Sequence, residues 1–310
     1  MEYVIGIDSG GTHYRVQAGG LNGRRLGEYT GCTANHYALS KQEVSSRVQH
    51  HIAACLAVFG GVPQDCRYIV CGTSGLDSEE DAVLLEEIYN ALPGFNCPVL
   101  CINDAELAHY AVTGGRGVLV ISGTGSIAFG RNRNGRTARV GGWSLDIMGE
   151  EGSGSWVSRH ALRHLARYFD KIVPTGPLVQ ILQKELDIST PKQLADFSFS
   201  LEFEKQPKLG RLVDEAAERG DQWAVRILEN AAVETMRLVR ELVRVLGMEN
   251  DPELFVGVWG SNIVDSCIHR EAFGRLLAKR YPNARLCLPT NTATDGAVLL
   301  ALERRATSTV

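Results

Sequence analysis

A strand, a glycine-rich turn and a second strand occur twice in this chain, about 115 residues apart, and that repetition restricts the fold more than any other feature. Tyr3–Asp8 is a short apolar run that reads as a buried strand. Ser9, Gly10, Gly11 and Thr12 come next. Alternating segments at His13–Ala18 and Arg25–Thr30, separated by Gly19, Gly20, Asn22 and Gly23, then predict two hairpin turns. The pattern restarts at Gly117–Ser122, turns through Gly123-Thr124-Gly125-Ser126, and continues with strands at Ile127–Arg131 and near Thr137–Val140. Between the copies the spacing predicts helices at Lys41–Phe59, Glu79–Leu92 and Ala105–Val112, and strands at Arg67–Gly72 and Pro98–Asn103. The expectation is a duplicated α/β domain divided at Thr113-Gly114-Gly115, giving a first lobe over 1–113 and a second over 114–310.

The two copies diverge after their hairpins. From Glu151 to Gly247 the pattern is nearly all helical, most clearly at Asp221–Leu246, where Ile227, Leu228, Ala231, Thr235, Leu238, Val239, Leu242 and Leu246 form one stripe. This reads as a helical insertion over about 157–247 in the second lobe. Strands return at Leu254–Val258 and Arg285–Leu288, and a final helix over 293–305 can pack back on the first lobe. At 310 residues, 44% hydrophobic and 22% charged, the chain has apolar material for two cores.

The net charge of −4 supplies no basic excess for neutralising nucleic-acid phosphates. No run reaches the roughly 18 apolar residues of a membrane span, and no leader pattern opens the chain, so a cytoplasmic protein is expected. The eight cysteines show no CxxC pair, so zinc and thioredoxin signatures are missing. They read as small buried hydrophobes in a reducing compartment.

Four places carry chemistry. Ser9-Gly10-Gly11-Thr12 and Gly123-Thr124-Gly125-Ser126 are turns whose amides can approach phosphate oxygens, and Asp8 at the strand end can hold magnesium through water. A plain hairpin turn explains either alone; the pair in equivalent places suggests a nucleotide gripped by a loop from each lobe. Asn103-Asp104 joins a strand end to a helix start, where Asp104 suits either a general base or a helix cap. Gly141 to Trp156 is dense in glycines, acids and tryptophans, which suits a loop approaching a sugar, although the helix dipole alone accounts for Glu151.

In this order the motifs resemble those of the N-acetylglucosamine kinases. These belong to the ATPase group that includes the activators of benzoyl-CoA reductase and 2-hydroxyglutaryl-CoA dehydratase, within the actin/hexokinase-like superfamily. Thr33-Ala34-Asn35-His36 is similar to the family's Thr-x-Asn-His, and Gly72-Thr73-Ser74-Gly75 to its second sugar-side loop. The resemblance implies duplicated ribonuclease H-like (actin-like ATPase) domains, with a cleft between two lobes that holds ATP and sugar. It implies ATP-dependent phosphorylation of the 6-hydroxyl of an amino sugar, with Asp104 as general base. Asn35, His36, Ser74, Gly75, Asn103, Trp143, Glu150 and Glu151 fall on the sugar side. Ser9, Gly10, Gly11, Thr12, Gly123, Thr124, Gly125, Ser126, Gly260 and Ser261 fall on the ATP side, with Mg2+ at Asp8. Relatives of this type are often homodimers.

Departures lie at Ser9, Ser144 and Glu150, where the family has Gly, Gly and Asp. Those at Ser144 and Glu150 are on the sugar side, so N-acetylglucosamine, N-acetylmuramic acid, glucosamine and glucose all fit. The alternative within the group is an activator of a radical CoA-thioester enzyme carrying an iron–sulfur cluster. It needs cluster cysteines, whereas Cys97 and Cys101 bracket a strand.

Overall fold

The structure, a computed structural model, describes residues 1–143, 149–199 and 209–307. Ser144, Met148 and the last three residues lie outside the described residues, as does the part of the expected insertion between 200 and 208.

The chain divides into two compact units, 1–116 with 289–310, and 117–288. Relative to the expected division, the boundary falls at Arg116/Gly117, and the closing helix Ala293–Thr307 belongs with the first unit. That placement has a packing cause. A Cβ on Gly6 would sit 2.6 Å from the Val298 amide nitrogen, and one on Gly296 would sit 2.5 Å from the Ala111 Cβ. Glycine at both positions lets the closing helix lie directly on a strand and on a neighbouring helix.

The first unit holds β1 (Tyr3–Ser9), β2 (His13–Gly20), β3 (Arg25–Cys32), β4 (Cys66–Thr73) and β5 (Val99–Asn103) in the order β3-β2-β1-β4-β5. The β1–β2 and β2–β3 pairs are antiparallel, while β4 and β5 join in parallel. Helix α1 (Lys41–Phe59) starts in a reciprocal cap between Ser40 and Glu43, and α2 (Glu79–Asn90) in one between Ser78 and Asp81. Helix α3 (Asp104–Thr113) follows β5 without a break.

The second unit repeats the arrangement with β6 (Gly117–Ser122), β7 (Ser126–Arg131), β8 (Thr137–Gly141), β9 (Phe255–Trp259) and β10 (Arg285–Cys287). Their order is β10-β9-β6-β7-β8, with the same antiparallel hairpins and parallel additions. The copies are thus matched strand for strand. Between β8 and β9 lies the insertion: α4 (Gly154–Phe169), α5 (Pro177–Leu186), α6 (Pro191–Phe199), α7 (Gly210–Glu218) and α8 (Gln222–Leu246). Asp221 caps the start of α8 through the Trp223 and Ala224 amides, and left-handed Gly247 ends it. Its Ile227, Leu228, Ala231, Val239, Leu242 and Leu246 are buried, each larger side chain contributing about 1.5–3 kcal/mol. Helices α9 (Ser261–Val264) and α10 (Cys267–Arg280) separate β9 from β10.

The cysteines divide more evenly than expected. Cys55, Cys66, Cys71 and Cys101 are buried, whereas Cys32 and Cys267 are exposed; all eight are free thiols. Among the described residues, no helix is long and apolar enough to cross a membrane.

Candidate active site

In the first unit the β1–β2 turn closes when the Gly10 amide donates to the His13 carbonyl, at 2.9 Å. Neither Gly10 nor Gly11 has a positive φ. A Cβ at Gly11 would meet nothing within 4 Å, and one at Gly10 would meet only the His13 carbonyl oxygen at 3.5 Å. The fold itself therefore does not demand glycine here; a ligand lying against the backbone would. Thr33 donates through Oγ1 to the Gly10 carbonyl, and the Ser74 amide donates to the Ser9 carbonyl. This ties three segments into one surface. Asn35 donates through Nδ2 to the Ser74 carbonyl and Oγ, and its Oδ1 accepts from the Tyr37 amide. So Asn35 and Ser74 are together, as the motif resemblance implies. Gly75 has φ +84° and lies against the Tyr37 ring. His36 is nearly enclosed, its Nε2 lying 3.2 Å from Asp81 Oδ1.

Asn103 is the cap of α3: its Oδ1 accepts from the Ala105 amide at 2.9 Å, and its Nδ2 donates to the Leu76 carbonyl. That settles the choice between cap and base on one side, since Asp104 is the first helical residue and not the cap. Burial pushes the Asp104 carboxyl up to about 6, with Asp8 and Asp77 adding repulsion, while the Ala105 amide works the other way. Asp8 is also raised by burial, opposed by Arg15, whose guanidinium donates to Oδ2 at 3.0 Å.

Among the described residues no cluster of three or more His, Cys, Asp or Glu side chains gathers to hold a metal. Magnesium that keeps its waters and takes phosphate oxygens needs only one or two carboxylates. Asp8 fits that demand: its side chain is 17% exposed, it lies near the end of a strand, and the half-exposed Arg15 offsets its desolvation.

In the second unit the β6–β7 turn is enclosed. The Gly154 and Ser155 amides at the start of α4 donate to the Gly123 and Thr124 carbonyls, at 2.8 and 3.3 Å. The β9–α9 turn comes close beneath: Gly260, at φ +91°, would place a Cβ 2.5 Å from the Ser122 carbonyl oxygen. Asn262 donates to Ser122 Oγ and to the Gly152 carbonyl, and its own carbonyl oxygen lies 2.9 Å from Nδ1 of the buried His269. Gly123, Thr124, Gly154, Ser261 and Asn262 line a cavity of about 610 Å³ that continues along α7.

Trp143 is 64% exposed, with the Arg139 guanidinium 5.3 Å over its ring. Glu150 is held differently. At φ +67° the residue is buried, and its carboxylate accepts from the Ser126 amide beneath the loop. A Cβ on Gly125 would strike that carboxylate at 2.6 Å. Burial raises the Glu150 carboxyl, and the Ser126 amide and Arg159 pull it back. Glu151 is exposed, and its carbonyl accepts from Ser126 Oγ. Thus the structure attaches Glu150 to the glycine loop expected to hold phosphate.

Sequence reading quoted Thr33 within its motif without giving it a role, and missed Arg15 and Asp214. Arg15 was accessible through hairpin register, since it pairs with Asp8 across β1 and β2. Asp214 and Glu218, four apart on α7, carried a weaker signal, one shared by many solvated helices.

Two matched sheets, each with a glycine turn after its first strand, define the actin-like ATPase and sugar-kinase fold. A Chromobacterium violaceum protein assigned provisionally as an N-acetylglucosamine kinase shares it at 23% identity, covering 97% of this chain and 99% of its own, with a TM-score of 0.76. Within that class, the chain belongs to the BadF/BadG/BcrA/BcrD ATPase family, whose model matches residues 5–301. It is 33% identical to the N-acetylmuramic acid/N-acetylglucosamine kinase of Clostridium acetobutylicum, over 97% of this chain and 98% of that protein. It is 28% identical to the N-acetyl-D-glucosamine kinase of Dictyostelium discoideum, over 98% and 99%.

Proposed function

We propose that this ATP-dependent sugar kinase phosphorylates the 6-hydroxyl of an amino sugar, N-acetylglucosamine or N-acetylmuramic acid, with Asp104 as general base. The observation that carries the reading is Asp104 itself: released from capping by Asn103, half-buried with the Asp8 charge nearby, and with its carboxyl raised to about 6. A base poised just below neutrality is ionised at working pH yet still accepts a proton. The full-length likeness to two kinases of these sugars supports the substrate class.

The sugar hydroxyl loses its proton to Asp104 as its oxygen attacks the γ-phosphorus. A new oxygen–phosphorus bond forms, the β,γ bridging bond breaks, and ADP leaves. Asn35 and Ser74 position the acceptor, and the glycine turn of each unit offers backbone that a phosphate can approach. Magnesium, where bound at Asp8, neutralises phosphate charge. ADP release coupled to a spectrophotometric assay tests the reading against N-acetylglucosamine, N-acetylmuramic acid, glucosamine, N-acetylmannosamine and glucose. Turnover with an N-acetylated amino sugar is expected; no sugar-dependent turnover with any of them refutes it.

A further inference from the structure

The cavity beside Gly123 and Thr124 changes character along its length. Near the glycine turn it is built from backbone: Gly123, Gly154 and the start of α7 at Gly210, whose Cβ position lies 4.0 Å from the Gly154 Cα and 3.4 Å from Asn262 Oδ1. Arg211 is the next residue on the lining. Further along stand three carboxylates, Asp214, Glu218 and Asp265. Helix rise sets the intervals, with Asp214 about 6 Å and Glu218 about 12 Å beyond Gly210 on one face. The carboxylate stretch repels phosphate, so a nucleotide enters with its phosphates toward Gly123 and its nucleoside along α7.

Asp214 is the first carboxylate reached, and it is held in place. The Ser266 hydroxyl donates to Asp214 Oδ1, and Ser266 is itself fixed as the cap of α10, accepting from the His269 amide. One donor leaves a carboxylate with most of its acceptor capacity unused. A ribose joins directly to the α-phosphate, so its hydroxyls arrive at the first acceptor beyond the phosphate end, and the base lies further on toward Glu218.

From this placement, and on the reading of this cavity as the nucleotide site, we infer that Asp214 accepts a ribose hydroxyl and makes the enzyme selective for ribonucleotides over deoxyribonucleotides. Burial and the neighbouring Glu218 and Asp265 raise the Asp214 carboxyl, a cost that a hydroxyl donor relieves.

The test compares kcat/KM for ATP, 2′-deoxyATP and 3′-deoxyATP at saturating sugar in the wild type, Asp214→Asn, Asp214→Ala and Ser266→Ala, each checked for folding by its melting curve. Calorimetric titration with ADP and its deoxy forms, without sugar, gives affinities independent of turnover. At least one deoxynucleotide should be about 10–100-fold poorer for the wild type, the usual range for a hydrogen bond to a charged group. That ratio should fall to within about threefold in both Asp214 variants and part-way in Ser266→Ala, with the ATP-to-GTP ratio unchanged. Equal use of ATP and both deoxynucleotides by the wild type overturns the inference, as does a preference that survives Asp214→Ala. A change confined to the ATP-to-GTP ratio also overturns it, reassigning Asp214 to the base. Failure of the wild type to bind or use any nucleotide removes the reading of the cavity as a nucleotide site.

Discussion

The two glycine turns occupy equivalent places in equivalent sheets, yet they are built differently. The β1–β2 turn is open: among the described residues nothing crowds Gly11, and the charged side chains Asp8, Arg15 and Asp104 lie nearby. The β6–β7 turn is enclosed, resting on the first amides of α4, undercut by Gly260, and strapped by Glu150 and Asn262. The same sheet arrangement thus carries an open turn among charged side chains in one copy and an enclosed, strapped turn in the other; on the proposed function, the first suits proton transfer and the second rigid binding. Damage in the first unit should therefore appear mainly in turnover, and damage in the second in nucleotide affinity and stability.

The largest contrast is expected at Asp104. Asp104→Asn should lower kcat by about 100-fold or more while sugar affinity, measured by calorimetry, changes little. Gly260→Ala comes next. It forces a Cβ into the Ser122 carbonyl at positive φ and should cost about 3 kcal/mol in denaturant unfolding. An unchanged midpoint would mean the second turn is not held as tightly as described.

Asp104→Asn should also raise stability at neutral pH. Its folded carboxyl is raised, so the favourable contribution is complete below about pH 4 and lost as pH climbs through about 6. The neutral amide removes that loss, worth at most about 3 kcal/mol at pH 7 and only about 0.5 kcal/mol at pH 4. Melting curves at the two pH values read the difference. Glu150→Ala should raise the KM for ATP about tenfold by freeing the Ser126 amide, with a smaller effect on the KM for sugar. If the sugar KM moves instead, Glu150 serves the acceptor after all. The smallest change in stability belongs to Gly11→Ala, within about 0.5 kcal/mol, accompanied by weaker ATP binding.

Much of this was legible in the sequence because periodicity and turn chemistry are local. The alternation at His13–Ala18, the α8 stripe and the repeated glycine turns predicted the matched sheets and the helical insertion. The placement of the closing helix was only partly legible: its contact with Gly6 joins residues nearly the whole chain apart, its contact with Ala111 spans more than half of it, and nothing in Ala293–Thr307 alone names its partner. The same limit applies at the site. Whether Asp104 caps the helix could not be decided without the backbone angles, which make Asn103 the cap. Glu150 was expected on the sugar side, and no local pattern showed that its carboxylate would lie against Gly125.

The central claim is that Asp104 is the base, and the most direct measurement is the ratio of wild-type to Asp104→Asn kcat/KM for N-acetylglucosamine between pH 5 and 8. Taking the ratio cancels the titration of ATP and of other groups common to both proteins. The account predicts a ratio that rises about tenfold per pH unit below about 6 and levels above it, as the free carboxylate forms. A ratio independent of pH across that range would contradict it.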